Sequence, residues 1–359
     1  MPSLKSRCVG LYLKLTRKKA FSSAAELHRW IVRDRQRANH RPPPAIALRH
    51  RIEQRVIDGF PVYEIPATRR GAGHVVYFHG GAFCFEITRY HWTLIADVAR
   101  RTGARVTVPI YPLAPEHDFH AMFRMAMETY RAVLGESPAS KVVFMGDSAG
   151  GNMAVVLTML AAERRLPLPG RHVLISPGLD MTAREAMVEA ALNDPWLDVP
   201  GGMEAIRLYC AGLDVADWRI SPRHGDLAVL PKTLVFSSTR DLLHSGTLGF
   251  VEGARAAGVD VELFVEEGMY HVWPLIETVE ARRARDRIVA FLGQGIAAEP
   301  PRQGGSRRAR PDRAWTDASR LTASPDRGKS RAVPALFRGA DRAGRPTCRA
   351  SRASSSPSC

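Results

Sequence analysis

A serine in a glycine-rich turn is the residue best suited to nucleophilic chemistry in this sequence. Ser148 lies in the pattern G-x-S-x-G, between an apolar run at 141–145 and an apolar helical pattern at 149–164. Small glycines let a strand and a helix approach closely, and the turn exposes the serine hydroxyl at the helix N-terminus. Developing negative charge is favoured there. The pattern therefore predicts a nucleophilic serine at a strand-to-helix turn.

A serine hydroxyl is a weak nucleophile and needs a base. His271 and Asp241 each follow a predicted strand, which places them at the sheet edge where Ser148 also lies. His244 is the alternative base among the 12 histidines, but it is only three residues from Asp241 and is poorly placed to bridge that acid and a distant serine. Asp241 can orient the imidazole and stabilise its protonated form. We predict a triad of Ser148, Asp241 and His271.

A second glycine-rich segment, H-G-G-A-F at 79–83, directly follows a buried apolar strand. Acyl transfer develops an oxyanion, which needs hydrogen-bond donors in a dry site, and backbone N–H groups of a glycine loop can converge there. We therefore place the oxyanion hole at Gly80, Gly81, Ala82 and Ala149, and we assign the donated N–H groups to the last three.

The elements that must position these residues alternate along the chain from about residue 52. Short β-branched runs are separated by helical patterns, which predicts a mostly parallel sheet with helices on both faces. Strands are predicted at 62–65, 74–78, 105–110, 141–145, 173–175, 233–236 and 261–265. Helices are predicted at 92–101, 119–134, 149–164, 247–257 and 272–291. The segment 181–225 interrupts this alternation and is predicted to be an insertion with two helices, at 184–192 and 202–211.

Length and composition limit the class of protein. The chain has 359 residues, of which 45% are hydrophobic, so it can form a packed core and is not wholly disordered. The sequence contains no run of 18 apolar residues, which argues against a transmembrane helix. The 5 cysteines lie far apart without a C-x-x-C pair, which argues against a disulfide scaffold or a zinc site. They fit a reducing compartment, so we expect a cytoplasmic location.

The net charge of +15 would suggest a polyanionic partner if it were spread over the chain. It is not, because residues 1–51 hold 13 Lys and Arg against 2 Asp and Glu, and residues 297–359 hold 14 against 5. The remainder, 52–296, holds 24 against 29 and contains every catalytic motif. We therefore expect no nucleic-acid partner.

The two basic ends differ in their patterns. Leu4, Cys8, Leu11 and Leu15 share one face of a predicted helix, which either packs on the body of the protein, lies on a membrane surface or closes a pocket. We favour packing and leave open a weak peripheral membrane contact through the basic N-terminus. The segment 297–359 has few apolar residues beyond alanine, so we predict a disordered basic tail and assign it no function.

Five motifs occur in order along the chain. They are H-G-G-A-F (79–83), Y-P-L-A-P-E-H (111–117), G-D-S-A-G-G-N (146–152), S-T-R-D-L-L (238–243) and G-M-Y-H (268–271). Together they resemble the hormone-sensitive-lipase-like family of α/β-hydrolases, the serine esterases of the G-D-S-A-G type, and the resemblance covers about 50–292. The order of serine, acid and histidine is also that of the α/β-hydrolase fold.

This resemblance implies an α/β-hydrolase fold, an eight-stranded and mostly parallel sheet with a helical cap. The catalytic domain would span 51–296, with the cap built from residues 1–50 and from the insertion at about 181–225. It also implies hydrolysis of carboxylic esters with short or medium acyl chains by Ser148, His271 and Asp241, without a cofactor or a metal. An amide or acetyl-group hydrolase with the same triad is the alternative, and a non-catalytic ligand-binding protein is a more distant one. A homodimer is left open.

Two departures from the family pattern concern the site. Ala82 stands where the family has a third glycine, and we expect its N–H to serve as a donor if the residue has a negative φ. Pro112 replaces an arginine of the Y-R-L-A-P-E-H motif.

The candidates for substrate contact are aromatic or apolar residues near the motifs or in the insertion. We name Phe83, Trp196 and Tyr209, with Trp92 and Met203 as further candidates. Such residues form the core more often than they contact ligands.

Overall fold

The computed structural model describes residues 1–296 except 38 and 183, so the predicted tail at 297–359 lies outside the described residues. Eight strands form one sheet in the order β1-β2-β4-β3-β5-β6-β7-β8. They are β1 (Glu53–Ile57), β2 (Phe60–Ile65), β3 (His74–Phe78), β4 (Arg105–Pro109), β5 (Val142–Asp147), β6 (Arg171–Ile175), β7 (Lys232–Arg240) and β8 (Val261–Tyr270). The β1–β2 and β2–β4 pairings are antiparallel, and the other pairings of this sheet are parallel. This confirms the predicted eight-stranded, mostly parallel sheet, in which β1 is the strand that the sequence patterns missed.

Helices cover both faces of the sheet. Along β3, Val75 and Tyr77 pack into one hydrophobic core, while Val76 and Phe78 pack into the other, as expected for a strand buried on both sides. The helices are α1 (Leu4–Thr16), α2 (Ala24–Arg37), α3 (Pro44–His50), α4 (Arg89–Thr102), α5 (Phe119–Glu136), α6 (Ala149–Glu163), α7 (Arg184–Asn193), α8 (Val199–Tyr209), α9 (His244–Ala256) and α10 (Val279–Ile296). Helices α4 and α10 contribute to the first core, and α5, α6 and α9 to the second.

The helical cap combines the N-terminal segment with the insertion. Helix α2 packs against α8 of the insertion. Leu27 of α2 and Ile206 of α8 belong to the same buried cluster as the core between the sheet and α5, α6 and α9. The cap therefore continues a main hydrophobic core.

The last helix begins later than predicted. The pattern placed its start at residue 272, but Val272 has a left-handed φ of 48°, which ends regular structure there. A short 3₁₀ turn, Trp273–Leu275, follows. Helix α10 begins at Val279, where the Thr278 hydroxyl accepts a hydrogen bond from the Ala281 N–H, as an N-cap side chain does.

Helix α1 packs on the body, but not through the expected apolar stripe. Its buried face consists of Ser6, Gly10 and Leu13; Ser6 donates a hydrogen bond to Glu280 at 2.8 Å, and Gly10 lies against Tyr270. The apolar stripe faces outward, so that Leu4 is 75% exposed and Leu15 is 74% exposed. The hydrogen bonds to Glu280, which the spacing of apolar residues does not reveal, decide the orientation of this helix.

No helix within the described residues has the combination of length and hydropathy that crossing a bilayer requires.

Candidate active site

Ser148 occupies a strained turn between β5 and α6. Strand β5 ends at Asp147, Ser148 has a φ of 53° and a ψ of −118°, and α6 begins at Ala149. A positive φ is unfavourable for a residue with a side chain and persists only where the surroundings enforce it. A Cβ atom at Gly150 would collide with the carbonyl group of Phe78, so this position requires glycine. The close packing of α6 on β3 thereby holds the serine hydroxyl at the edge of the sheet.

The three predicted triad residues meet at this edge. Asp241 directly follows β7 and His271 directly follows β8, and both are buried. The His271 Nε2 atom lies 2.9 Å from the Ser148 Oγ atom, and its Nδ1 atom lies 3.0 Å from both carboxylate oxygens of Asp241. Because a carboxylate only accepts, Nδ1 carries the proton, and Nε2 is free to accept the hydrogen bond that the serine hydroxyl donates.

The carboxylates around His271 favour its protonated form. Burial is the largest influence and would lower the pKa of His271, but the carboxylate of Asp241, together with those of Asp194 and Asp147, outweighs burial, and the pKa of His271 is raised. The surroundings of His271 therefore stabilise its protonated form.

His244, the alternative base, lies elsewhere. It begins α9, is half-buried, and its Nδ1 atom lies 2.8 Å from the Ser237 hydroxyl. Within the described residues, Ser148 has its hydrogen bond with His271 and none with His244.

Two of the predicted oxyanion donors lie in the glycine loop after β3. The N–H groups of Gly81 and Ala82 donate no hydrogen bond within the described part of the chain. Ala149 is the first residue of α6, so its N–H has no intrahelical acceptor. The inclusion of Gly80 is wrong, because the Gly80 N–H donates to the Asp147 carboxylate at 3.0 Å.

The backbone at Ala82 does not meet the condition set for its donor role. That condition was a negative φ, but Ala82 has a φ of 52° and the next residue, Phe83, has a φ of 59°. The donor role of the Ala82 N–H therefore stays a proposal. A left-handed conformation costs a non-glycine residue about 1–2 kcal/mol. The third glycine of the family motif would adopt this conformation freely, whereas Ala82 adds a methyl group to the wall of the site.

Asp147 connects the glycine loop to the nucleophile turn, a role that the sequence patterns missed. Its carboxylate accepts hydrogen bonds from the Tyr77 hydroxyl at 2.6 Å, the Gly80 N–H and the His91 Nε2 atom at 3.2 Å. Burial alone would raise the pKa of Asp147, but His91 and Tyr77 reverse the effect, and the pKa is lowered. The position of an acid next to the nucleophile was the available signal, but its partners come from distant segments.

Comparison with known proteins agrees with this geometry. A profile of the α/β-hydrolase fold matches residues 75–275, which is more than half of the chain. The chain belongs to the hormone-sensitive-lipase-like α/β-hydrolases. It is 30% identical to a carboxylesterase of Mycobacterium tuberculosis over 71% of this chain and 84% of that protein. It is also 30% identical to an acetyl-hydrolase of Streptomyces hygroscopicus, over 64% of this chain and 79% of that protein. A crystal structure of an esterase from the bacterial hormone-sensitive lipase family is 27% identical, with a TM-score of 0.69, and covers 83% of this chain and 100% of that chain.

In this α/β-hydrolase a small cavity of about 60 Å³ adjoins the nucleophile. Its wall contains Ser148, Ala149, Ala82 and the predicted contact residue Phe83. The remaining wall residues come from the cap, from the turn after β6 and from the loop after Asp241, namely Phe21, Gly178, Met181, Met187, Leu197, Asp198, Gly202, Met203, Ala205, Ile206, Leu242 and Leu243.

Two of the three predicted contact residues do not line this cavity. Tyr209 stacks behind Phe83, with the ring centroids 3.7 Å apart, and Trp196 lies edge-on to the His271 ring at 6.0 Å. Of the further candidates, Met203 lines the cavity, whereas Trp92 packs in the core between α4 and the sheet. Phe21 was missed because it comes from the N-terminal segment, where no motif marks it.

Proposed function

We propose that this protein is a serine carboxylesterase that cleaves small acyl esters through an acyl-enzyme intermediate on Ser148. The observation that carries the proposal is the continuous hydrogen-bonded chain from the Ser148 hydroxyl through His271 to Asp241. A serine, a base and an orienting acid in this arrangement form the machinery of acyl transfer. The names of the related carboxylesterase and acetyl-hydrolase agree with this class of reaction.

In the first half-reaction His271 takes the hydroxyl proton as the Ser148 Oγ atom attacks the ester carbonyl carbon. The carbonyl oxygen becomes an oxyanion that accepts hydrogen bonds from the N–H groups of Gly81, Ala82 and Ala149. The imidazolium of His271 then gives its proton to the leaving alkoxide, and the acyl group remains on Ser148.

In the second half-reaction a water molecule attacks the acyl-enzyme. His271 takes a proton from the water as the new bond forms, and it returns that proton to the Ser148 oxygen when the acid product leaves. Asp241 keeps the Nδ1 proton of His271 in place throughout, because its carboxylate holds the imidazole in one tautomer.

The size of the cavity favours short acyl chains. Its volume of about 60 Å³ is far below the roughly 300–1,000 Å³ of a pocket for drug-sized ligands. Extra methylenes forced into a packed wall cost about 1–3 kcal/mol, which is roughly one to two powers of ten in rate. We therefore expect kcat/KM for p-nitrophenyl esters to be highest from acetyl to butyryl and to fall by at least about tenfold at decanoyl.

The variant Ala82→Gly serves as the matched probe of this wall, since it removes the methyl group and retains the N–H. Ala82→Gly should reduce the ratio of kcat/KM for the butyryl ester to kcat/KM for the decanoyl ester. A wild-type enzyme that prefers decanoyl would contradict the short-chain assignment, and faster cleavage of a matched p-nitroanilide than of the ester would replace esterase with amidase.

The outward face of α1 supports a second, finer proposal, a weak peripheral contact with an anionic lipid surface. Leu4, Leu11 and Leu15 are exposed along one side of the helix, with Tyr12 beside them. The helix, with sequence LKSRCVGLYLKLT, carries three basic residues and no acidic one. Apolar residues flanked by lysine and arginine are the pattern of an interfacial helix. The basic charge disfavours the tail at 297–359 as the occupant, because that segment is also basic.

If α1 makes this contact, a larger fraction of the protein should float with phosphatidylglycerol-containing vesicles than with vesicles of phosphatidylcholine alone. Added salt should reduce the bound fraction. Leu11→Gln/Leu15→Gln should reduce the bound fraction by about tenfold or more, because burying a leucine contributes about 1.5–3 kcal/mol. Leu48→Gln, an exposed leucine on α3, is the matched control and should bind as the wild type does.

Equal flotation of the double variant and the wild type would contradict the lipid contact, as would a wild-type protein that binds neither vesicle. A dimer in sedimentation that the double variant alone loses would assign this face to a second copy of the chain. Turnover of p-nitrophenyl acetate should be unchanged in the double variant. A cytoplasmic, membrane-peripheral location and a homodimer stay predictions.

A further inference from the structure

A second buried carboxylate lies beside the triad and takes no part in the reaction described above. Asp194 follows α7 in the cap insertion and is 2% exposed. Its Oδ1 atom accepts hydrogen bonds from the N–H groups of Trp196 at 2.6 Å and Leu197 at 2.9 Å. Its Oδ2 atom accepts from the Leu242 N–H at 2.8 Å. Leu242 directly follows Asp241, so one carboxylate joins the cap to the loop that carries the triad acid.

The same carboxylate fixes a side chain against the base. Trp196, whose N–H it holds, presents its ring edge-on to the His271 ring at 6.0 Å and 80°. Asp194 therefore has two routes to the triad, through the Leu242 backbone to Asp241 and through the Trp196 backbone to the ring that lies against His271.

Two basic side chains near Asp194 contact the main chain of this segment, and not the carboxylate. Lys18 donates hydrogen bonds to the backbone carbonyl of Asp194 at 2.7 Å, and Arg240 donates to that of Asn193, so both cations contact the main chain of this segment. Burial, followed by the repulsion of Asp241, raises the pKa of Asp194 to about 6, while His271 acts in the opposite direction. In turn Asp194, like Asp241 and Asp147, favours the protonated form of His271.

We propose that Asp194 is a positioning residue for acyl transfer, whose carboxylate holds the backbone of Leu242 so that Asp241 stays directed at His271, and holds Trp196 against the imidazole. This inference rests on the assignment of Ser148, Asp241 and His271 as the triad. It predicts that the cap and the acid loop act together, so that a substitution in the insertion changes the chemistry of the base and not only the fit of the substrate.

The test is Asp194→Asn in the full chain with p-nitrophenyl acetate. The asparagine oxygen can still accept from Trp196 and Leu197, but its amide group would face the Leu242 N–H, donor against donor. We expect kcat to fall by about 10- to 100-fold, as for a small misplacement of a catalytic group, with KM changed by less than about threefold. The kcat should be expressed per active site titrated with a fluorophosphonate, so that unfolded protein does not contribute.

The pH profile supplies a readout that a purely structural role would not move. His271 must be neutral to act as a base, so the acid limb of kcat/KM reports its pKa. Loss of the Asp194 charge lowers that pKa, and the acid limb of Asp194→Asn should therefore move to lower pH. Asp194→Glu keeps the charge and should leave the limb close to that of the wild type.

Asp180→Asn is the matched control, because Asp180, directly before the same insertion, is another buried carboxylate whose partners are Thr182 and Arg223. It should leave the acid limb in place. In an Asp241→Asn background, Asp194→Asn should lower kcat by a much smaller factor than in the wild type, because the two residues act in series.

An unmoved acid limb together with a wild-type kcat in Asp194→Asn would overturn the inference, and so would a full additional loss in the Asp241→Asn background. Either result leaves the triad intact if Ser148→Ala is inactive. The triad assignment itself fails if Ser148→Ala retains activity, whatever Asp194→Asn does.

Discussion

Ser148→Ala should lower kcat/KM for p-nitrophenyl acetate by about 10⁴-fold or more while the protein remains folded. In the proposed mechanism the Ser148 hydroxyl forms the covalent bond to the substrate. Without it, the oxyanion donors alone leave a small residual rate. The substitution removes one oxygen atom at a turn whose backbone is held by the packing of α6 on β3. The variant should therefore keep the circular dichroism spectrum and the Tm of the wild type within a few degrees.

Ser140→Ala is the control for this experiment. Ser140 is exposed and precedes β5, whereas Ser148 follows it, so the two serines lie at opposite ends of one strand. Turnover by Ser140→Ala should equal that of the wild type. Hydrolysis by Ser148→Ala at more than about a hundredth of the wild-type rate would remove Ser148 from the role of nucleophile.

The second large effect is expected at the base. His271→Gln should lower kcat/KM by about 10⁴-fold or more, since a serine without a base is close to inert and the triad acts as a unit. His244→Gln should stay within a few-fold of the wild type, because the His244 imidazole contacts Ser237 and not the nucleophile. Both variants should be measured across pH, so that a shifted optimum is not mistaken for a loss.

The two histidine variants distinguish His271 from His244 as the catalytic base. Both residues follow predicted strands at the same end of the sheet, and chain position alone favoured His271. Equal losses in the two variants would mean that His244 also serves the reaction, and a larger loss in His244→Gln would contradict the observed contact between Ser148 and His271.

The proximity of Ser148, Asp241 and His271 and the mostly parallel sheet were predictable because they depend on short segments of the chain. The turn around Ser148 and the positions of Asp241 and His271 after parallel strands follow from local patterns, and parallel strands bring their ends to one edge. The alternation of strands and helices predicted a mostly parallel sheet, and the family resemblance implied its eight strands, but neither predicted β1 or the order of the strands.

The features that escaped prediction depend on contacts between distant segments. The positive φ of Ala82 is imposed by the turn that the loop makes, and an alanine in the sequence gave no sign of it. Gly80 was placed in the oxyanion hole beside the assigned donors, yet its own N–H donates a hydrogen bond to the Asp147 carboxylate. The orientation of α1 follows from Glu280, which lies more than 270 residues away in the chain.

The helices of the cap were predicted from the sequence, but the contacts that the cap makes were not. The insertion at about 181–225 was predicted with two helices, and α7 and α8 are present there. The contact of Asp194 with Leu242 joins two segments 48 residues apart, and no periodicity or motif relates them. A buried carboxylate next to the triad became apparent only from the three-dimensional structure.

The central claim, that Ser148 is the residue acylated during turnover, is tested most directly by covalent labelling. The protein is treated with a fluorophosphonate probe, and the modified residue is located by mass spectrometry of its peptides. We expect one label per chain, on Ser148, with activity lost in proportion to labelling and no label in Ser148→Ala. Full esterase activity in unlabelled protein, or a label on another residue that abolishes activity, would contradict it.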